Sequence, residues 1–347
     1  MTSRTDEHAP ATGVTGLHAD GEPDVQAGVP QTQVSLSRVG VSGVEKVIRV
    51  QGPGSNAGPD LFFAELECLV DLRPQQAGVH MSRFEEIVNE AIDGVVLGES
   101  LRVEALAAKM AEQIRERQDG RRAEVTITAR YPERMQAPAS GLESQEIYRI
   151  FGTAVASESG TRRMAGVEAQ GMTACPCAQG LLSARARDRL VADGFDTDEI
   201  ERIFRAVPVA THNQRGIGRI DLGVTEGVEL DVDAREILAI AEASMSSEIY
   251  ELMKRSDEAA VVEKAHMQPR FVEDVVREMI RRVTAEFPEL VNDGFVWARQ
   301  ENLETIHRHS VIAERYGLLA EVARELETGE HSPRHMTRRE WLEAPNA

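Results

Sequence analysis

Apolar residues recur along this chain at two different periods, and the switching between them divides it into strands and helices. In 61-LFFAELECLVDL-72, Phe62, Ala64, Leu66, Cys68 and Val70 share one face opposite Glu65, Glu67 and Asp71, the period of two of a half-buried strand. The stretch 123-AEVTITARY-131 alternates in the same way, and 38-RVGVSGVEKVIRV-50 clusters apolar residues around a Ser-Gly step that predicts a hairpin. Between them the period lengthens. Ser82 and Glu85 form a capping box for a helix over 82–96, Gly98 interrupts it, and 100-SLRVEALAAKMAEQIRERQ-118 predicts a second helix.

That order of strand, strand, helix, helix, strand recurs loosely further on. Strands are predicted over 145–159 and 164–174, then a short helix, a helix over 197–207 capped by Asp196 and Glu199, and a strand over 214–224. A long helix over 234–255 opens at Asp233 and Glu236, another runs over 271–287 to Pro288, and a strand lies near 294–302. Residues 1–23 lack periodicity and read as a disordered tail, and residues 328–347 read as a charged, frayed one. The expected class is α+β, a single unit over 24–327 in two halves, about 24–140 and 141–327.

Composition narrows the function. With 347 residues and 41% hydrophobic content the chain can bury a full core, yet no run of about 18 apolar residues exists to span a membrane. The opening MTSRTDEHAPATG has no signal-peptide pattern, and three cysteines make no disulfide framework, so a reducing cytoplasm is expected. A net charge of −19 argues against nucleic acid as a partner. Lys46, Lys109, Lys254 and Lys264 are the only lysines. Acidic excess with so little lysine fits adaptation to high salt, although a GC-rich genome also favours arginine. Neither a Gly-x-Gly-x-x-Gly fingerprint nor a Walker loop occurs.

Two of the three cysteines stand together in 171-GMTACPCAQG-180. A thiolate beside nitrogen and carboxylate donors suits Zn²⁺ or Fe²⁺. The partners available are His212, Glu248, and His307 or His309; the last two share a side if their segment is extended. His212 follows Cys175 by 37 positions (212 − 175), so only the fold can bring them together. Taken singly, each of these residues is more often structural.

Taken in order, the runs CPCAQ, THNQRG, SSEIYELMKRSDEAAVVEKA, RFVEDVVRE and ENLETIHRHS resemble the GTP cyclohydrolase IV family of archaea and its bacterial type IB relatives. The early DVQAGVPQTQVSLSRVGVSGVEKVIRV resembles that family's first strand, so the likeness runs from about Asp24 to about Glu325. It implies a tunnelling fold of two ββααββ halves, assembled as a homodimer or homotetramer with active sites between subunits. It also implies an enzyme that opens the imidazole ring of GTP, releases carbon 8 as formate and closes a dihydropterin. The archaeal branch ends at 7,8-dihydroneopterin 2′,3′-cyclic phosphate and diphosphate, on the way to methanopterin- or folate-type cofactors, and uses Fe²⁺, with Zn²⁺ or Mn²⁺ as other candidates. The type IB branch gives dihydroneopterin triphosphate.

The residues to which the resemblance points are Cys175, His212, Glu248 and His307 for the metal, with Cys175, His212 and His307 also serving catalysis. Glu263, in VVEKA, matches the glutamate that anchors the purine, where a carboxylate can accept two N–H donors. Arg215 is the expected triphosphate contact, with Arg162, Arg163 and Arg270 as competitors. Cys177, Thr173 and His309 stand close by in sequence; which cysteine binds the metal, and what directs the cyclic phosphate, stay open. Two rivals remain. One is a nitrile reductase of the same fold using a nucleophilic cysteine; the other is a non-catalytic nucleotide-binding oligomer with a closed metal site.

Overall fold

The computed structural model describes residues 26–50, 60–93 and 102–344. The first half of the chain forms β1 (Leu36–Val50), β2 (Asp60–Leu72), α1 (Met81–Asp93), α2 (Val103–Arg117), β3 (Ala123–Gln136) and β4 (Glu143–Ser157). The second forms β5 (Gly160–Ala174), α3 (Pro176–Ala192), α4 (Thr197–Ala206), β6 (Asn213–Val224), α5 (Ala234–Ala243), β7 (Ser247–Glu248) and α6 (Arg255–Met267). It closes with α7 (Val272–Glu286), β8 (Gly294–Leu303), β9 (Val311–Leu318), α8 (Leu319–Thr328) and α9 (Arg338–Glu343). All strands join one antiparallel sheet in the order β1-β2-β3-β4-β5-β6-β8-β9, with β7 pairing beside β5.

This is the α+β tunnelling-fold layout expected. The first half is an uninterrupted ββααββ unit. The second is the same unit built from β5, β6, α5, α7, β8 and β9, with α3–α4 and β7–α6 inserted. The units meet at the β4–β5 turn after Ser157, not near 140, because β3 and β4 pair from Ala123↔Ala156 to Gln136↔Glu143. Helices α2, α5 and α7 pack on one face of the sheet. The even-numbered residues of β2 foreseen as its inner face (Phe62 to Val70) are buried there. Cys68 lies in this core; burial, then Glu85 and Glu67, push its thiol up to about 12, which leaves it a small inert hydrophobe.

Several expectations change. The Ser-Gly step at 42–43 makes no hairpin: β1 runs through it, and the register slips between Val41 and Val44. Gly43 sits at φ 68°, a bulge geometry open to glycine. Helix α1 begins one residue before Ser82, and the break at Gly98 lies outside the described residues, as does the proposed tail 1–23. The short helix after CPC is α3, with 17 residues. The helix expected over 234–255 ends at Ala243, where the Ser244 hydroxyl donates to the Ile240 carbonyl and the Arg270 guanidinium donates to that of Ser244 at 2.7 Å. Residues 247–248 then pair with β5, and α6 starts anew. The capping boxes at Asp196 and Asp233 form as expected.

Up to residue 344 the C-terminal segment is not frayed. Helix α9 lies on the face of the sheet opposite α5 and α7, beside Phe295, whose neighbour Val296 points into the main core. Trp341 is 1% exposed and stacks on Phe295 with centroids 5.1 Å apart. A Cβ at Gly223 would come within 2.5 Å of that indole, so only glycine leaves it room. Arg162 covers the indole at 5.4 Å and pairs with Glu226 at 3.0 Å. Among the described residues no helix is long and apolar enough to cross a membrane.

Candidate active site

The Cys-Pro-Cys run marks the point where β5 stops being a strand. Cys175 is the N-cap of α3 and Pro176 takes its first position, where the missing N–H costs nothing and the fixed φ suits the helix. Register along β5 and β6 extends to Ala174↔Asn213, so the residue before β6, His212, stands beside Cys175. The Cys175 N–H donates to the His212 carbonyl at 3.1 Å, and the Thr211 hydroxyl donates to the Cys175 carbonyl at 2.8 Å. The inserted α3–α4 excursion thus leaves the sheet and returns to the same place, which closes the 37-residue gap. Gln179 holds its base, donating to the carbonyls of Val209 (2.8 Å) and His266 (2.6 Å).

The end of β8 brings the remaining groups. The Thr305 hydroxyl donates to the Asn213 carbonyl at 3.0 Å and ties the loop after β8 to the start of β6. The His212 Nδ1 lies 3.0 Å from Gln214 Oε1 and 3.7 Å from Glu304 Oε2. An amide oxygen only accepts, so this contact places the proton on Nδ1 and leaves the Nε2 lone pair available. The Glu304 side chain is 6% exposed, and its Oε2 has no hydrogen-bond partner among the described residues. His307 and His309 stack in the same exposed loop, centroids 5.2 Å apart and planes 16° from parallel. Cys175, His212, Arg270, Glu304, His307 and His309 all line one cleft of about 410 Å³.

Not every expected residue is there. Glu248 is paired in β7 with Gly171, four residues before Cys175 and so about 13 Å of extended strand away. Its carboxylate accepts from Lys264 at 2.5 Å, and it does not line the cleft. Arg215 alternates with the cleft-lining Gln214, points to the other face and donates to Gln170 at 3.2 Å. Among the competing arginines, Arg270 alone lines the cleft; Arg162 and Arg163 lie at the far end of β5, with Arg162 bound up under α9. Glu263 is exposed on α6 and Cys177 is exposed in the first turn of α3, both outside the cleft. Thr173 is fully buried, paired with Gln214 in register, and its hydroxyl has no partner among the described residues.

Glu304 is the residue that sequence reasoning missed. Its signal was present in 294-GFVWARQENLE-304, where Gln300, Asn302 and Glu304 continue the period of the buried Val296 and Ala298. Polar residues on a strand's core face demand partners. Gln300 finds one in Asn302 at 3.0 Å, whereas Glu304 is left facing His212.

The donors here, a thiol, imidazoles and a buried carboxylate oxygen lacking a partner, suit a borderline divalent cation in chemistry. Among the described residues, however, no group of three or more His, Cys, Asp or Glu stands close enough to hold a metal ion. The sphere of Cys175, His212, Glu248 and His307 is therefore not assembled within the single chain.

Residues 23–313 match the family model described as type I GTP cyclohydrolase folE2. A protein named GTP cyclohydrolase MptA from Methanococcus aeolicus is 41% identical over 309 residues, covering 87% of this chain and 99% of that protein. One of the same name from Methanocaldococcus jannaschii is 39% identical over 308 residues, covering 87% and 97%. Among solved structures, the uricase of Arthrobacter globiformis superposes with a TM-score of 0.48 at 12% identity, over 82% of this chain and 95% of that one.

Proposed function

The chain belongs to the type I GTP cyclohydrolase family, and from that premise we propose that it hydrolyses GTP in the cleft bounded by Cys175, His212 and the 304–309 loop. The observation that carries the reading is the meeting of Cys175, His212, Glu304, His307 and His309 in that one cleft, although they come from three separate segments. The product we assign is 7,8-dihydroneopterin 2′,3′-cyclic phosphate, with formate and diphosphate released, as a first step toward a pterin cofactor in a reducing cytoplasm.

Each group has a part. His212, with Nδ1–H held by Gln214 and backed by the Glu304 carboxylate, presents its Nε2 lone pair to a cation, while the carboxylate fixes the tautomer and strengthens the donor. His307 and His309, on an exposed loop, pass protons between the cleft and solvent during ring opening and deformylation. Arg270 lends positive charge for the phosphates while its guanidinium caps the last carbonyls of α5. Cys175, His212 and a histidine of the 304–309 loop would hold Fe²⁺. When bound, that ion supplies Lewis-acid chemistry for hydrolysis at carbon 8.

Assembly belongs to the same proposal. Among the described residues β1 and β9 each pair on one side only, and long open edges of this kind invite pairing with another chain. A homodimer or homotetramer would close them and could bring Glu263 of one chain toward the cleft of another. The test is anaerobic incubation with GTP and Fe²⁺, with mass analysis of the products across a dilution series. Formate with the cyclic phosphate, and specific activity that falls on dilution, is the expected result. Dihydroneopterin triphosphate in its place would reassign the product, and no formate at all would overturn the reading.

A further inference from the structure

A second cleft, of about 790 Å³, opens on the face of the sheet away from α1 and α2, lined by Glu45, Phe63, Glu65, Thr128, Arg130 and Arg149. Register sets Phe63 opposite Arg130 and Arg130 opposite Arg149. Their chain neighbours Ala64, Ala129 and Ile150 are buried in the helix-side core, so these three side chains emerge together on the other face. Phe63 is 71% exposed, more than any other large apolar side chain among the described residues. Arg149 pairs with Glu168 at 3.2 Å, whereas Arg130 makes no ion pair among the described residues. Guanidinium groups directly opposite on adjacent strands repel each other, and in a chain of net charge −19 such a pair is out of keeping with the average surface.

We infer that this cleft is a second, non-catalytic nucleotide site. The lining is divided. Arg130 and Arg149 offer forked donors to phosphate oxygens, with the Thr128 hydroxyl beside them. Phe63 offers an apolar face on which a base can stack. Glu45 and Glu65, opposite each other on β1 and β2 and one alternation along from Phe63, present carboxylates to an amino-bearing base. A bare polyphosphate would be repelled by those two glutamates; a nucleotide satisfies both ends. The size lies within the usual range for small-molecule sites. None of these residues lines the Cys175 cleft, so the absence of a nucleotide here would leave the cyclohydrolase reading intact.

The test is calorimetric titration of the full chain with ATP, and separately with inorganic triphosphate, on wild type, the R130Q/R149Q double variant and F63A. Circular dichroism checks folding, and each of these substitutions changes an exposed side chain. We expect ATP to bind wild type and to bind R130Q/R149Q at least tenfold more weakly, with GTP turnover retained. F63A should weaken ATP severalfold and leave triphosphate binding, already weaker than that of ATP, unchanged. Absence of ATP binding, or binding indifferent to these substitutions, overturns the proposal. So does a rise in the KM for GTP in step with the loss of ATP, which would make the patch part of the substrate site. A shift from oligomer to monomer in the variants would make it an interface between copies, and would equally end the inference.

Discussion

The two halves of the sheet are built on one plan and differ in what interrupts it. In the first, β1, β2, α1, α2, β3 and β4 follow one another with no inserted element, and none of the candidate catalytic residues lies there. The second carries two insertions, α3–α4 between β5 and β6, and β7–α6 between α5 and α7. Cys175 and His212 stand at the two ends of the first insertion, while Glu248 and Glu263 lie in the second. A strand that must release and recapture its neighbour exposes side chains at a fixed place, as β5 and β6 do on either side of α3–α4. The cleft draws Cys175 and His212 from the first break in the repeat and Glu304, His307 and His309 from the β8–β9 connection.

That contrast can be broken most directly at His212. His212→Asn should lower turnover by about 10²–10⁴-fold with the far-ultraviolet spectrum unchanged. A substitution of similar size on the first half, such as Thr128→Val, should leave turnover within about twofold. Equal losses would mean that the halves are not functionally distinct.

The next largest effect is on stability. Trp341→Ala removes a buried indole that bridges β8 and β6 through Phe295 and Gly223, and should cost about 3–5 kcal/mol in a denaturant titration. A cost below about 1 kcal/mol would show that α9 is only loosely docked.

Each half also buries a glutamate on its own helix layer, and the pair gives a pH test. Burial raises Glu104 of α2 and Glu242 of α5 to about 7. Glu242 accepts from the Tyr148 hydroxyl at 2.7 Å, while one oxygen of Glu104 has no hydrogen-bond partner among the described residues. A carboxyl that ionises near 4.5 unfolded and near 7 folded favours the fold while protonated. Its contribution is whole below about 4.5 and lost as the pH rises toward 7, a change on the order of 3 kcal/mol for Glu242. Glu242→Gln should remove that slope and gain stability relative to wild type at pH 8. Parallel melts of wild type and variant from pH 4 to pH 8 would fail the assignment.

The smallest expected effect separates the glutamates of the second insertion. Glu263→Gln should weaken GTP binding by about tenfold without changing metal content, the loss of one charge-assisted contact. Glu248→Gln should also disrupt the ion pair to Lys264, and should lower bound iron only if assembly brings Glu248 to the cleft. Metal analysis of both variants decides between them. Iron lost from Glu263→Gln alone would reverse the two roles.

Much of this was legible in the sequence wherever a local rule governed. The alternation of β2 and β3 and the capping boxes at Asp196 and Asp233 depend on contacts within a few residues, and each formed as read. The resemblance of five short runs carried the family, because side-chain order along a chain survives without knowledge of its path. What failed was whatever a distant segment decides. β1 reads as a hairpin because a bulge and a turn share the same Ser-Gly chemistry, and only pairing with β2 chooses between them. The helix expected beyond Ala243 lost to pairing with β5, and the supposed frayed tail was anchored by a pocket assembled from β5, β6 and β8.

The same division holds at the site. Residue types alone offered Cys175, Cys177, His212, Glu248, His307 and His309 as possible donors, and the resemblance, not their spacing, singled out Cys175, His212, Glu248 and His307. The tertiary structure alone decided which of the two cysteines faces the cleft, that Glu304 backs His212, and that Arg270 stands where Arg215 was expected. The physical reason is the two-residue period of a strand combined with register. A shift of one position sends a side chain to the opposite face, and register is set by partners hundreds of atoms away along the chain.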